Sequence, residues 1–217
     1  MLRVPKITTQ TIIEARTPRA FFIPKENEMA SLTQLKTLPA TESIISGITN
    51  ADDLKTAIEM GATYAGLIFV LTSPYGIAID AALEFAEASP IPLIGIFQNS
   101  DLEDILYVSE QIPLFAVLLN GWETQGFIND LRARLPMHIK IIKIAHMCDG
   151  NPKMNYQNVD FYLLGGHVGE QLTPNWALLE HLNMENVFLS GNWVNDTTPP
   201  KVAKKLLGFE MNVKMMV

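Results

Sequence analysis

Cysteine is almost missing from this sequence. Cys148 stands alone among 217 residues, which excludes an internal disulfide framework and fits a reducing compartment. Cationic charge is also short: 16 Lys and Arg face 23 Asp and Glu, for a net charge of −7. That balance gives no electrostatic reason to expect nucleic acid or an anionic membrane as partner. No apolar run approaches the ~20 residues that a membrane helix needs. The opening "MLRVPKITTQ" has no apolar segment of the secretory kind, so a cytoplasmic location is expected. Core material, by contrast, is ample. Apolar residues make up 48% and charged residues 18%, in a length that suits one sizeable core.

Short apolar runs alternate with amphipathic stretches from residue 43 onward. The runs are "SIISG" (43–47), "TYAGLIFVL" (63–71), "IPLIGIFQN" (91–99), "LFAVLLNG" (114–121), "IKIIKIAHM" (139–147), "DFYLLGG" (160–166), "NVFLSGN" (186–192) and "EMNVKMMV" (210–217). Most are near-continuous rather than alternating, the pattern of parallel strands covered on both faces.

The segments between them carry helix signals. In "NADDLKTAIEMG" Asn50 is placed to cap, Asp53 stands at the third position, and Gly61 ends the turn. "SDLEDILYVSEQI" opens with an apparent capping box, Ser100 to Glu103. "TPPKVAKKLLG" has prolines in its first turn and Gly208 just past its end. The linker "CDGNPKMNYQNV" is too polar and turn-rich for a good helix, so the fifth helix is expected to be short or absent. Eight strands with crossovers predict an α/β fold, a (β/α)8 TIM barrel, with a doubly wound open sheet as the rival. In both, ligands sit at the carboxyl ends of the strands.

No eighth helix is expected after the eighth run, and about forty residues precede the first. Residues 1–39 read as an N-terminal extension and 40–217 as the barrel. Within the extension, "PKENEMASLTQLKTL" (24–38) carries a helical stripe of Met29, Leu32 and Leu35. This helix is assigned to the gap between strands eight and one; a loosely attached arm is the alternative.

The stretch "IISGITNADDLKTAIEMGATYAGLIFVLTSPYGI" resembles the opening of phosphoribosylanthranilate isomerases, barrel enzymes of the tryptophan pathway. Those begin with a Lys-Ile-Cys-Gly-Ile-Thr strand end, followed by a Gly-Ala-Asp turn and a Gly-Phe-x-Phe strand. "IGIFQNSDLEDI", "FAVLLNGWE", "FYLLGGH" and "VFLSGNW" are similar to later family segments, in order. The resemblance implies the barrel rather than the open sheet, and a site at its C-terminal face.

Several positions depart from the family pattern. The strand-one cysteine, the family's general base, is Ser46 here; the strand-six aspartate, its general acid, aligns with Gly165. The second-loop arginine aligns with Tyr75 and the strand-four histidine with Asn120. The glycine-rich turn after strand six falls on Gly169, Glu170 and Gln171, and the phosphate cradle after strand eight on Lys214, Met215 and Met216. A serine hydroxyl without a partner has no accessible anion near neutral pH. General acid and base groups are worth on the order of 10²–10⁴ each. These departures lead to the expectation of a barrel that has lost the family's Amadori isomerisation and is repurposed for an unphosphorylated small molecule. The alternatives are a non-catalytic interaction scaffold, a pseudoenzyme, and an active isomerase of tryptophan biosynthesis.

The remaining strand ends supply His146, His167 and Glu170 as acid–base candidates, with Ser46 and Gly165 as vestigial positions. Tyr75, Asn99, Asn120, Trp122, Lys143, Asn192 and Trp193 are candidate pocket residues. Lys143 is expected to point into the barrel, where it could form a Schiff base; supporting a carboxylate or snorkelling outward are the commoner alternatives. Trp122 and Trp193 could stack on an aromatic ligand or simply fill space. No metal motif is recognisable and no cofactor is expected. The expected partner is a small molecule of unknown identity, with no nucleic acid and no membrane; a homodimer is the default assembly.

Overall fold

The computed structural model describes residues 42–70, 72–146, 152–165, 176–190 and 206–212. Eight strands lie at the predicted runs: β1 Glu42–Ser46, β2 Tyr64–Ile68, β3 Leu93–Phe97, β4 Leu114–Leu119, β5 Lys140–His146, β6 Phe161–Gly165, β7 Val187–Ser190 and β8 Gly208–Asn212. They pair in sequence order, all parallel, and β8 returns to β1 to close the barrel. The open-sheet rival is thereby excluded. The closing seam holds five register pairs, from Glu42–Gly208 to Ser46–Asn212. Gly208 makes it possible: a Cβ there would lie 1.9 Å from the Glu42 carbonyl oxygen. β8 therefore begins two residues before the predicted run and ends at Asn212.

Alternation along each strand sorts side chains into two layers. Ile44, Ile94, Ile96, Ala116, Leu118, Ile142, Leu163 and Phe188 fill the bore. The opposite parity, including Ile45, Ala65, Leu67, Val117, Leu119 and Ile141, packs outward beneath the helices. A second outer cluster, with Tyr162, Leu164, Leu189 and Phe209, covers β5 to β8.

The described helices are α1 Ala51–Glu59, α2 Ile79–Ala86, α3 Leu102–Gln111, α4 Gln125–Arg134 and the single turn α5 Trp176–Leu179. α1 starts as predicted. Asn50 Oδ1 accepts the Asp53 N–H at 2.9 Å, and Asp53 Oδ2 accepts the Thr49 N–H at 2.9 Å, so two end donors are satisfied reciprocally. α3 does not. Its cap is Asp101, with no side-chain cap bond. Glu103 is turned instead to the Arg134 guanidinium of α4, which takes both carboxylate oxygens. Between β5 and β6, residues 152–160 hold no helix, in line with the expected gap. The proposed helices at 24–38 and 198–208 fall mainly or wholly outside the described residues.

Candidate functional site

Ser46 ends β1 two residues after Ile44, which faces the bore, so strand alternation sends its hydroxyl inward. Ser190 follows Phe188 by the same rule. On β8, Phe209 packs outward, and Glu210 therefore faces in. The three meet at the β7–β8–β1 seam. Ser46 Oγ lies 2.5 Å from Glu210 Oε1 and 3.3 Å from the Met211 carbonyl oxygen. Ser190 Oγ lies 3.4 Å from Glu210 Oε2. Ser46 is 2% exposed.

Some of the Glu210 surface is open, but its carboxyl end sits inside the barrel. Burial there pushes the carboxyl above its usual range, while the Ser46 and Ser190 hydroxyls pull the other way. Among the described residues, no cation pairs with it. The result is a carboxyl group that holds a proton more readily than an ordinary glutamate, in contact with a hydroxyl that can both donate and accept.

Gly165 is paired with His146 at the ends of β6 and β5. A Cβ at Gly165 would lie 3.3 Å from Ile144 Cδ1 and 3.5 Å from Ser190 Cβ, so this position faces the bore next to the serine–glutamate group. The His146 ring stacks on Trp122, with centroids 4.5 Å apart and planes 29° from parallel. Trp122 is 63% exposed. The pair forms a flat aromatic surface on the rim.

A second polar cluster lies on the outward side of the same end. Lys143 shares parity with Ile141, not with the bore-facing Ile142. This corrects the expectation that it enters the barrel. It is 2% exposed, and its Nζ lies 2.9 Å from Glu123 Oε2 and donates to the Gly121 carbonyl at 2.6 Å. Burial pushes its ammonium pKa down, and the Glu123 carboxylate opposes that. Glu123 also accepts the Asn99 N–H at 3.0 Å and the Gly121 N–H at 3.1 Å. Of the roles foreseen for Lys143, supporting a carboxylate is the one observed.

Asn99 belongs to this clamp rather than to a pocket wall: it sits at φ 50, and its Oδ1 accepts the Trp122 N–H at 2.8 Å. Asn120 is half-buried, and its N–H donates to the Phe97 carbonyl at 2.7 Å. Tyr75 is half-buried in the loop after β2, its N–H donating to Ser73 Oγ at 3.2 Å. His167, Glu170, Asn192 and Trp193 lie outside the described residues, as does Cys148. No group of three His, Cys, Asp or Glu among the described residues is placed to hold a metal ion. No described helix is long and apolar enough to cross a membrane.

Glu210 escaped the sequence reading. Its one signal is a lone carboxylate inside an apolar strand, at bore-facing parity near the carboxyl end. Placing β8 two residues late put Glu210 at the start of the strand instead of near its carboxyl end.

Residues 44–208 match the family model of N-(5'-phosphoribosyl)anthranilate (PRA) isomerase. The chain is 32% identical over 172 residues to the tryptophan biosynthesis protein TrpCF of Salmonella typhi, covering 79% of this chain and 38% of that protein. It is 34% identical over 174 residues to TrpCF of Yersinia pestis, covering 79% and 36%. It thus spans well under half the length of these curated relatives.

Phosphoribosyl anthranilate isomerase from Thermotoga maritima superposes with a TM-score of 0.67 at 21% identity, over 82% of this chain and 97% of that one. A PRA isomerase in complex with reduced 1-(o-carboxyphenylamino)-1-deoxyribulose 5-phosphate gives 0.63 at 20%, over 82% and 96%.

These findings overturn the expectation of a barrel repurposed away from isomerisation, and nothing in them favours a pseudoenzyme. The matched span runs straight through Ser46 and Gly165, the positions on which loss was argued. The physical premise fails as well, because Ser46 is not an isolated hydroxyl: it is bonded to a buried carboxyl group. The chain belongs to the PRA isomerase family.

Proposed function

We propose that this chain is a phosphoribosylanthranilate isomerase of tryptophan biosynthesis, converting N-(5'-phosphoribosyl)anthranilate into 1-(o-carboxyphenylamino)-1-deoxyribulose 5-phosphate. The observation that carries the reading is the family match, which runs from Ile44 in β1 to Gly208, the first residue of β8, and so takes in most of the barrel. The site chemistry supports it. An aldose-to-ketose rearrangement needs a group that takes and returns protons, within a site shielded from bulk water. Ser46, Glu210 and Ser190 offer one at the strand ends where barrel enzymes work. The His146–Trp122 pair offers an aromatic surface that suits a benzoate ring. His146 is retained as a rim contact, and His167 and Glu170 as candidate acid–base groups.

The test is direct. The purified chain is mixed with N-(5'-phosphoribosyl)anthranilate, loss of anthranilate fluorescence is followed, and the product is matched by chromatography to authentic ketose. Enzyme-dependent formation of the ketose is expected. Loss of substrate at only the uncatalysed rate would overturn the reading.

A further inference from the structure

We infer that Glu210, acting through the Ser46 hydroxyl, is the proton acceptor of the isomerisation. This rests on the isomerase reading and adds to it the residues that move the proton.

The Ser46 hydroxyl carries one donor and two acceptor lone pairs. Its single O–H proton has two acceptors in reach, Glu210 Oε1 at 2.5 Å and the Met211 carbonyl at 3.3 Å. When Glu210 is ionised, the hydroxyl donates to the carboxylate. When Glu210 is protonated, its own O–H donates to Ser46 Oγ, and the serine proton turns to Met211. Both protonation states are therefore satisfied without moving the backbone. A relay between a reacting carbon and a carboxylate needs that property.

Ser190 holds the second carboxylate oxygen at 3.4 Å, fixing the plane of the group. The surroundings complete the case. On β1 and β7, the strands that flank β8, the groups facing Glu210 are the hydroxyls of Ser46 and Ser190, and no cation among the described residues neutralises it. A carboxyl group placed for structure alone is normally paired or fully hydrogen-bonded by N–H donors.

In the reaction, a proton delivered to the ring oxygen releases the C1'–O bond and leaves a protonated imine at C1'. The C2'–H proton then passes to Ser46 Oγ as the serine proton passes to Glu210. The C2'–H electron pair forms the C1'=C2' bond, and the imine pair returns to nitrogen. The enaminol becomes the ketose when C1' gains a proton and the C2' hydroxyl loses one. The sequence is redox-neutral and consumes no co-reactant.

The experiment measures kcat and KM for N-(5'-phosphoribosyl)anthranilate across pH, for the unmodified chain, Glu210→Gln and Ser46→Ala. Circular dichroism and a thermal melt confirm folding, and Glu210→Asp stands in if the glutamine variant does not fold. Glu210→Gln is expected to lower kcat by about 10²–10⁴-fold with little change in KM, and to erase the acid limb of the rate profile. Ser46→Ala removes a hydrogen bond that favours the ionised carboxylate. It should therefore lower kcat and move the acid limb to higher pH. An active unmodified chain whose Glu210→Gln form keeps more than a tenth of kcat with the same acid limb would overturn the Glu210 assignment alone. An inactive unmodified chain would overturn the isomerase reading, and this assignment with it.

Discussion

Glu123 and Glu210 are both glutamates at the same end of one barrel, Glu123 on its outward side and Glu210 facing the bore, and they are held in opposite ways. Glu123 receives an ammonium and two backbone N–H groups, so each of its oxygens meets a strong donor and its charge is cancelled. Glu210 meets two hydroxyls and, among the described residues, no cation. The first arrangement anchors the loops after β3 and β4 to β5. The second leaves its protonation open to change. Burial alone does not tell a rivet from a reagent; the partners do.

The largest effect is expected at the Lys143–Glu123 clamp. Lys143→Met strands the Glu123 carboxylate without its cation and is expected to cost about 3–5 kcal/mol of stability, read by urea unfolding. Adding Glu123→Gln to that variant should recover most of the loss. A cost under about 1 kcal/mol would put the pair among surface bridges.

At the seam the expected sign reverses. Because burial raises the folded-state carboxyl of Glu210, its contribution to stability is full below the ordinary carboxylate range and is lost as pH rises through the raised value. Glu210→Gln should therefore raise the melting temperature at neutral pH and narrow its advantage in acid. A lower melting temperature at neutral pH would mean that the group is structural after all.

The smallest effect is expected at the opposite end of the barrel, where Tyr64 Oη donates to Glu42 Oε2 at 2.8 Å. Burial first, then that carboxylate, pushes the phenol up to about 12. Tyrosine in an unfolded chain ionises near ~10. The contribution of Tyr64 is thus intact below ~10 and lost as pH climbs through the folded-state value. Melting curves of the unmodified chain and Tyr64→Phe should converge across that window.

What sequence reveals here depends on how local the cause is. All eight strands were legible because apolar runs covered on both faces are a property of neighbouring residues. The start of α1 was legible because Asn50 and Asp53 are three residues apart. The capping box at Ser100–Glu103 was misread because Arg134, 31 residues on, holds Glu103. Lys143 was placed on the wrong side of its strand because a run apolar on both faces conceals its parity. Ser46 was judged powerless because its partner lies 164 residues away. Side-chain chemistry assembled across a barrel leaves no local trace.

The Ser46–Glu210 contact spans the closing seam, and that has a consequence for synthesis. As the chain leaves the ribosome, β1 to β5 and their outer cluster can begin to pack before β8 exists. Such an intermediate would hold much of the apolar core, and the Lys143–Glu123 clamp as well. It would hold no acid–base pair, since Glu210 arrives only when the final strand docks beside the first. If Glu210 is the proton acceptor proposed above, catalytic competence reports completed assembly, and a nascent chain caught short of closure buries its core without the means for that chemistry.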